Sequence, residues 1–485
     1  MSGVRRFAAL AASALLAACA RSLASPAHVD VPRPTSPALV VRTPAWSAAD
    51  LRVLRERLAT TAAPLADAGI AIVALDGTLL YGRHERRAYV PASTLKTLVA
   101  AASLETLGPT FRFPTSLVSL GTPRDGSVDD LYLVGSGDPS LTSDDLRGGA
   151  AALARAGITR ISGRTIVDAS AFAGREINPD WESDDLQYGY AAGTSALSLD
   201  EGTVAITLQP SSPGLPARVK VEPSGDAVSV HGRAITGYGT SLTIERDPLR
   251  NDFTIDGRIN VGAEQTFYRP VVGLPRYAGA VLQSMLRLRG IETATDLDAG
   301  VAPLAGHRLW LHRSAPLREL IARMLVTSDN HYADQLLRAI GSERGRATEA
   351  SGALVERAML ARDAVDTSGL RVVDGSGLAP TNRVAPLTFA ALLARVQREP
   401  IASDLLRGLP RAGIEGTVRY RRLAKALGRV RAKSGHIGGV NALVGYVSTD
   451  HHGRVAFAVL VNAVDPDSEA IENGIDRTLD ALAAS

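Results

Sequence analysis

The chain has 485 residues, 45% of them apolar and 21% charged, with a formal charge of +3. That length exceeds one ordinary domain, and the balance is that of a folded globular protein. No basic stripe interleaved with aromatics is present, so nucleic acid is excluded as a partner. Lysine usage is sharper: of 53 basic residues only Lys96, Lys220, Lys425 and Lys433 are Lys. Where Lys survives in an Arg-written chain, the question is what Arg could not do there, and a motif has to answer it. An ammonium can be desolvated into a base, whereas a guanidinium stays protonated.

Residues 1–25 read as a secretory signal, with Arg5 and Arg6 ahead of the short apolar run from Phe7 to Ala18. The run is too short to span a bilayer comfortably. It ends Leu16-Ala17-Ala18-Cys19, which resembles the lipobox of bacterial lipoproteins, and Cys19 is the chain's single Cys. With Cys19 lipidated, the signal is 1–19 and the Pro-rich stretch 20–45 a tether. The alternative is ordinary cleavage at the A-x-A pattern Ala18-Cys19-Ala20. Either way the expectation is an exported protein of the periplasm or cell envelope. No later run is long enough for a membrane-spanning helix, so any membrane contact is through the anchor.

Folding is expected to begin near Trp46 with a helix reaching Ala68. GIAIVALDG and TLLYGRH then form a hairpin around Asp76-Gly77, and a helix runs from Ser93 to Leu107, closed by Gly108. From 112 to 267 the character changes to short β-like runs, among them DLYLVGSG, TVAITLQ and DFTIDGRINV, separated by Gly, Pro and Asp turns. Helical patterning resumes in RYAGAVLQSMLRLRG and LRELIARMLV. The strands ALVGYVST and RVAFAVLVNAV and a helix near 467–482 close the chain. The expected fold class is α+β. Helices flank an antiparallel sheet built from both ends of the chain, 46–111 and 268–485. A β-rich insertion fills 112–267, with a nested subdomain at about 203–262.

Three blocks carry chemistry. In Ser93-Thr94-Leu95-Lys96, positions i and i+3 share a helix face, so hydroxyl and amine meet near the helix start. A neutral Lys there can take the Ser proton and activate it for acyl transfer. Ser328-Asp329-Asn330 follows an apolar helix and offers a hydroxyl for proton relay and an amide for a carbonyl. Lys433-Ser434-Gly435 places a cation, a hydroxyl and an approachable backbone on a strand, a set suited to a terminal carboxylate. Each block alone is weak. Together, in order, and holding two of the four lysines, they are strong.

The trio resembles the S-x-x-K, S-D-N and K-[ST]-G set of penicillin-binding proteins and serine β-lactamases. The separation of 235 positions from Ser93 to Ser328 is more than a β-lactamase places there. The chain is therefore similar to the class C low-molecular-mass penicillin-binding proteins. These are the D-alanyl-D-alanine carboxypeptidase/endopeptidases of the peptidase S13 family, with the penicillin-binding protein 4 group. Blocks such as Tyr132–Pro139, Tyr190–Ser198, Asp374–Leu378 and Gly413–Thr417 look like theirs.

The resemblance implies a penicillin-binding-protein/β-lactamase-like transpeptidase domain. It implies Ser93 as nucleophile, Lys96 as base, Ser328 as a proton relay and Asn330 in the cleft. It further implies Lys433 and Ser434 on the substrate carboxylate beside Gly435, an oxyanion hole from the N–H groups of Ser93 and His436, and Asp185 on a free amine of the peptide. The Asp374–Leu378 block reads as a structural Gly-rich turn near the cleft. His436 replaces a small hydroxyl residue of the family; its imidazole either alters substrate preference and pH profile or points away. Peptidoglycan stem peptides are the expected substrate and β-lactams the expected covalent inhibitors.

No cofactor is expected. A metallopeptidase would need clustered ligands, and the nine His are scattered without H-E-x-x-H. A Cys peptidase is excluded because Cys19 lies in the signal. Two rivals remain open, a β-lactamase and a non-catalytic wall-binding lipoprotein that kept the fold.

Overall fold

The computed structural model describes residues 45–485, apart from 66, 263, 345–346 and 464–467. Cys19, the signal and the Pro-rich tether therefore lie outside the described residues. The central sheet is antiparallel, in the order 430–437, 440–448, 454–462, 69–74, 79–83. Strands from the two ends of the chain meet where Ile70 faces Val459 and Ala71 faces Ala458. The hairpin turns at Asp76-Gly77, where Gly77 takes a positive φ of 98°.

Strand Gly69–Ala74 is buried at every position because helices cover both sheet faces. Alternate side chains serve different cores. Ala71 and Val73 pack with the helices Lys96–Leu107, Leu317–Thr327, Asn330–Ile340 and Pro386–Val396. Ile70, Ile72 and Ala74 pack with the helices Ala48–Thr61 and Ser468–Ala483. The helix after Ser93 is buried on all sides, with no exposed residue from Lys96 to Leu104. An all-round apolar helix of that kind belongs in the middle of a core.

The β-rich part builds a five-stranded sheet in the order 297–299, 165–168, 131–134, 114–119, 307–313. Three three-stranded sheets accompany it, one with 203–209 between 218–222 and 265–270, one with 252–260 between 229–237 and 241–246, and a short one with 160–161 between 127–128 and 292–293. The sequence patterning puts the end of this material at 267, but its pairing and core run on to Arg313. Strand His307–Arg313 lies against Pro114–Ser119, and Leu274, Val281 and Leu282 of the helix Leu274–Leu288 belong to its core. The helix pattern of that stretch conceals which core it serves, because an amphipathic stripe names no partner. Among the described residues, no helix is long and apolar enough to cross a membrane.

Candidate active site

The chain enters the site through Pro91 and Ala92, and Ala92 takes a left-handed φ of 46°. A non-Gly residue held there costs of order 1–3 kcal/mol and persists only where its surroundings dictate it. Here they do. A Cβ on Gly435 would lie 2.7 Å from the Pro91 carbonyl oxygen and 3.0 Å from the Thr94 nitrogen. A Cβ on Gly377 would run into the Ala92 carbonyl. Two glycines thus let a strand and a loop close directly onto the turn that presents Ser93.

Ser93 sits in the 3₁₀ turn Ala92–Leu95, which runs straight into the helix Lys96–Leu107. One turn on, the fully buried Lys96 Nζ donates to Ser93 Oγ at 2.8 Å, to Asn330 Oδ1 at 2.7 Å and to the Ser376 carbonyl at 2.7 Å. Three donors and three acceptors leave the ammonium satisfied. Burial nevertheless pushes its pKa down to about 8, against the pull of Asp334, Asp374 and Asp329. A Lys poised there can give up its proton near neutral pH and accept the one on Ser93.

Ser328 closes the helix Leu317–Thr327 in a left-handed turn, φ 61°. Asp329 caps the next helix, accepting from the Tyr332 amide at 3.1 Å. Asn330 opens that helix and spans the site. Its Oδ1 accepts from Lys96, and its Nδ2 donates to the Tyr190 carbonyl at 2.8 Å. The Tyr190 hydroxyl in turn donates to Asp185 Oδ1 at 2.7 Å.

On the strand Val430–Ile437, Lys433 and Gly435 share one face and Ser434 and His436 the other. Lys433 is fully buried, its Nζ donating to the Ser434 carbonyl at 2.7 Å. Burial holds its pKa well below the usual Lys range, and the Lys96 charge adds to the depression. Ser434 Oγ lies 2.8 Å from Thr417 Oγ1. The strand is the outer one of its sheet, and the Ala432 amide donates away from the sheet to Pro410 at 3.0 Å. Alternate amides share an edge, so the His436 N–H faces the same open side. The His436 ring pairs with Glu472 of the C-terminal helix at 2.9 Å.

A pocket of about 450 Å³ gathers Ser93, Asp185, Ser328, Asn330 and His436, with Tyr190 and Glu182 on its wall. Lys96, Lys433, Ser434 and Gly435 stand behind that wall. All nine residues singled out in the three blocks and at 185 and 436 therefore converge.

Other contributors escaped the sequence reading. Ser376, in the block read as a structural turn, reaches Lys96 directly through its carbonyl. Asp334 Oδ1 accepts from the Gly375 and Ser376 amides at 2.6 and 2.9 Å, and so straps that loop against Lys96. Asp374 accepts from Gly377, Ala379, Asn382 and the Trp181 indole. The signal available was only that Asp334 follows Asn330 by four residues, on one helix face. Among the described residues, no cluster of His, Cys, Asp and Glu is arranged to hold a metal ion.

Residues 52–482 match the D-Ala-D-Ala carboxypeptidase 3 (S13) family. A D-alanyl-D-alanine carboxypeptidase of Actinomadura sp. (strain R39) is 33% identical over 81% of this chain and 77% of its own length. D-alanyl-D-alanine carboxypeptidase DacB of Haemophilus influenzae is 28% identical over 76% of this chain and 80% of its own. The crystal structure of penicillin binding protein 4 (dacB) from Haemophilus influenzae superposes with a TM-score of 0.77 at 25% identity. It covers 90% of this chain and 100% of that one. Its complex with a β-lactam superposes with a TM-score of 0.72 at 25% identity, over 87% and 98%.

Proposed function

The chain belongs to the D-Ala-D-Ala carboxypeptidase 3 (S13) family, and on that premise we propose that it cleaves peptidoglycan stem peptides through an acyl-enzyme on Ser93. It is a serine-type D-alanyl-D-alanine carboxypeptidase that penicillins acylate. The observation that carries the residue assignment is the buried Lys96 ammonium 2.8 Å from Ser93 Oγ, with its pKa lowered to about 8.

In this reading neutral Lys96 takes the Ser93 proton as Oγ attacks the carbonyl carbon of the penultimate D-Ala. The Ser93 and His436 amides hold the oxyanion. The C–N bond then breaks, and the departing D-Ala amine receives a proton through Ser328. Water, deprotonated by Lys96, hydrolyses the ester and restores Ser93. Asn330 holds the substrate amide between Lys96 and Tyr190. Lys433 and Ser434 bind the terminal carboxylate, with Thr417 orienting the hydroxyl, and Gly435 lets the strand approach. Asp185, at the pocket wall, meets a free amine of the stem. His436 is spoken for by Glu472, so its ring acts on the rim of the site rather than on the reacting bond.

Fluorescent penicillin tests the proposal: wild-type protein labels covalently and Ser93→Ala does not. Labelling of the Ala variant, or none of the wild type, rejects it. A digest of purified peptidoglycan then separates carboxypeptidase release of D-Ala from endopeptidase cutting of cross-links. The two-part organisation proposed alongside is a penicillin-binding domain from 46–111 and the C-terminal part, interrupted by the β-rich insertion. Export and lipidation at Cys19 complete the proposal, resting on the signal and lipobox pattern. Mass spectrometry of the mature N-terminus reads this, and an unmodified terminus at Arg21 or later refutes the anchor.

A further inference from the structure

A second hollow of about 1050 Å³ opens on the other side of Ser328 and Asn330. It shares those two residues and Tyr190 with the reaction pocket, so the two form one continuous depression. Its volume is at the upper end for a small-ligand site and exceeds what a terminal D-Ala needs. It has room for a further part of the substrate.

Its lining is a row of flat groups. The Tyr188 and Tyr190 rings stack at 5.5 Å and 6°. The Arg269 guanidinium lies 6.0 Å from the Tyr188 centroid and 5.6 Å from that of Phe267. Tyr268, 61% exposed, has no ring or cation stacked on it among the described residues. Also on the lining, Arg323 pairs with Glu201 and lies over Tyr332. Aromatic faces beside planar carboxylate and guanidinium groups suit a ligand with apolar C–H faces and a rim of hydroxyls. Pyranose rings have that shape: C–H bonds pack on an aromatic face while hydroxyls bridge to carboxylate and guanidinium. A peptide of alternating D- and L-residues offers no such flat face.

We propose that this groove binds the sugar of the wall polymer, taking an N-acetylated hexose disaccharide joined to the stem peptide being cut. The proposal rests on the reaction assigned above. Bound sugar beside Tyr190 and Asn330 would lower KM for sugar-bearing substrate without touching the chemistry at Ser93.

The test compares a stem pentapeptide with the same peptide carrying its disaccharide, using wild type and Tyr268→Ala. Tyr268 stands apart from the reaction pocket. The wild type has a KM about tenfold lower for the sugar-bearing peptide, the range of one good aromatic contact. Tyr268→Ala removes most of that advantage, leaves KM and kcat for the bare peptide unchanged, and labels with penicillin at the wild-type rate, which reports its folding. Equal wild-type KM values, or an equal rise on both peptides in the variant, overturn the proposal. If neither peptide is turned over, the reaction assignment fails on its own. The groove is then judged by ligand-detected NMR with the free disaccharide. A signal with wild type that Tyr268→Ala loses supports it, and equal or absent signals overturn it.

Discussion

The helix Lys96–Leu107 and the strand Ser229–Gly237 live under opposite regimes. The helix has nine successive buried residues and is enclosed by other helices and the central sheet. The strand buries only Ala234 and Thr236, at alternate positions near its end, and leaves most of its length to water. The first region holds a reactive pair at fixed distance in a low dielectric, which is what lowers the Lys96 pKa. The second carries surface. Between them, residues 176–198 belong to the β-rich part in sequence yet lie against the helix Asn330–Ile340. The Tyr190, Gly193 and Ser195 carbonyls there meet Asn330, His331 and Gln335. Chemistry is thus anchored in the buried region, while the walls that meet substrate come from the half-exposed one.

The largest test of that contrast is Lys96→Arg. The charge persists but cannot be shed, so penicillin acylation should fall by at least about a thousandfold. Stopped-flow acylation measures it, and a loss below about tenfold would move the base elsewhere.

Gly435→Ala comes next, because the new Cβ meets Pro91 and Thr94 backbone that cannot yield. It should cost about 1–3 kcal/mol and most of the acylation rate. Thermal unfolding and labelling read the two effects, and an unchanged pair would mean the strand stands further off.

Asp334→Asn is subtler, since the amide oxygen can still accept from Gly375 and Ser376. The reactive form is neutral Lys96, so the acylation rate rises with pH, about tenfold per unit below about 8, and levels above. Burial and the Asp374 charge push Asp334 itself up to about 8, so it and Lys96 titrate over the same range, and in its ionised form it raises the Lys96 pKa. Its removal therefore lowers that pKa and moves the acid limb to lower pH. A purely structural role would lower the plateau and leave the limb in place.

At the bottom of the scale, Leu249→Ser in the exposed turn of the insertion should change stability by less than about 0.5 kcal/mol and leave acylation unaltered. A large effect there would mean the two regions are more tightly coupled than their burial implies.

Much of the site was legible because its chemistry needs particular residue types at short spacing. Ser93 and Lys96 meet across one helical turn, and Ser328 and Asn330 straddle one helix start. Lys96 and Lys433 stood out because Arg fills nearly every other basic position. The strands of the insertion announced themselves by alternation and turns. Asp334 and Ser376 stayed hidden because their meeting joins a helix to a loop 42 residues on through backbone amides. Nothing in residue type marks a carbonyl that will accept from a Lys 280 positions away. The end of the β-rich part was misplaced for the same reason, since Arg313 finds Pro114 only through the sheet.

By itself the sequence determined the fold class, the ordered reactive trio and the expectation of export, because local periodicity and side-chain chemistry are properties of short segments. The tertiary structure alone decided that Lys96 is dry, that the Tyr190 carbonyl orients Asn330, that Glu472 engages His436, and that a second groove opens beside Ser328. Burial and long-range hydrogen bonding depend on which distant segments share a core, and no short segment carries that information.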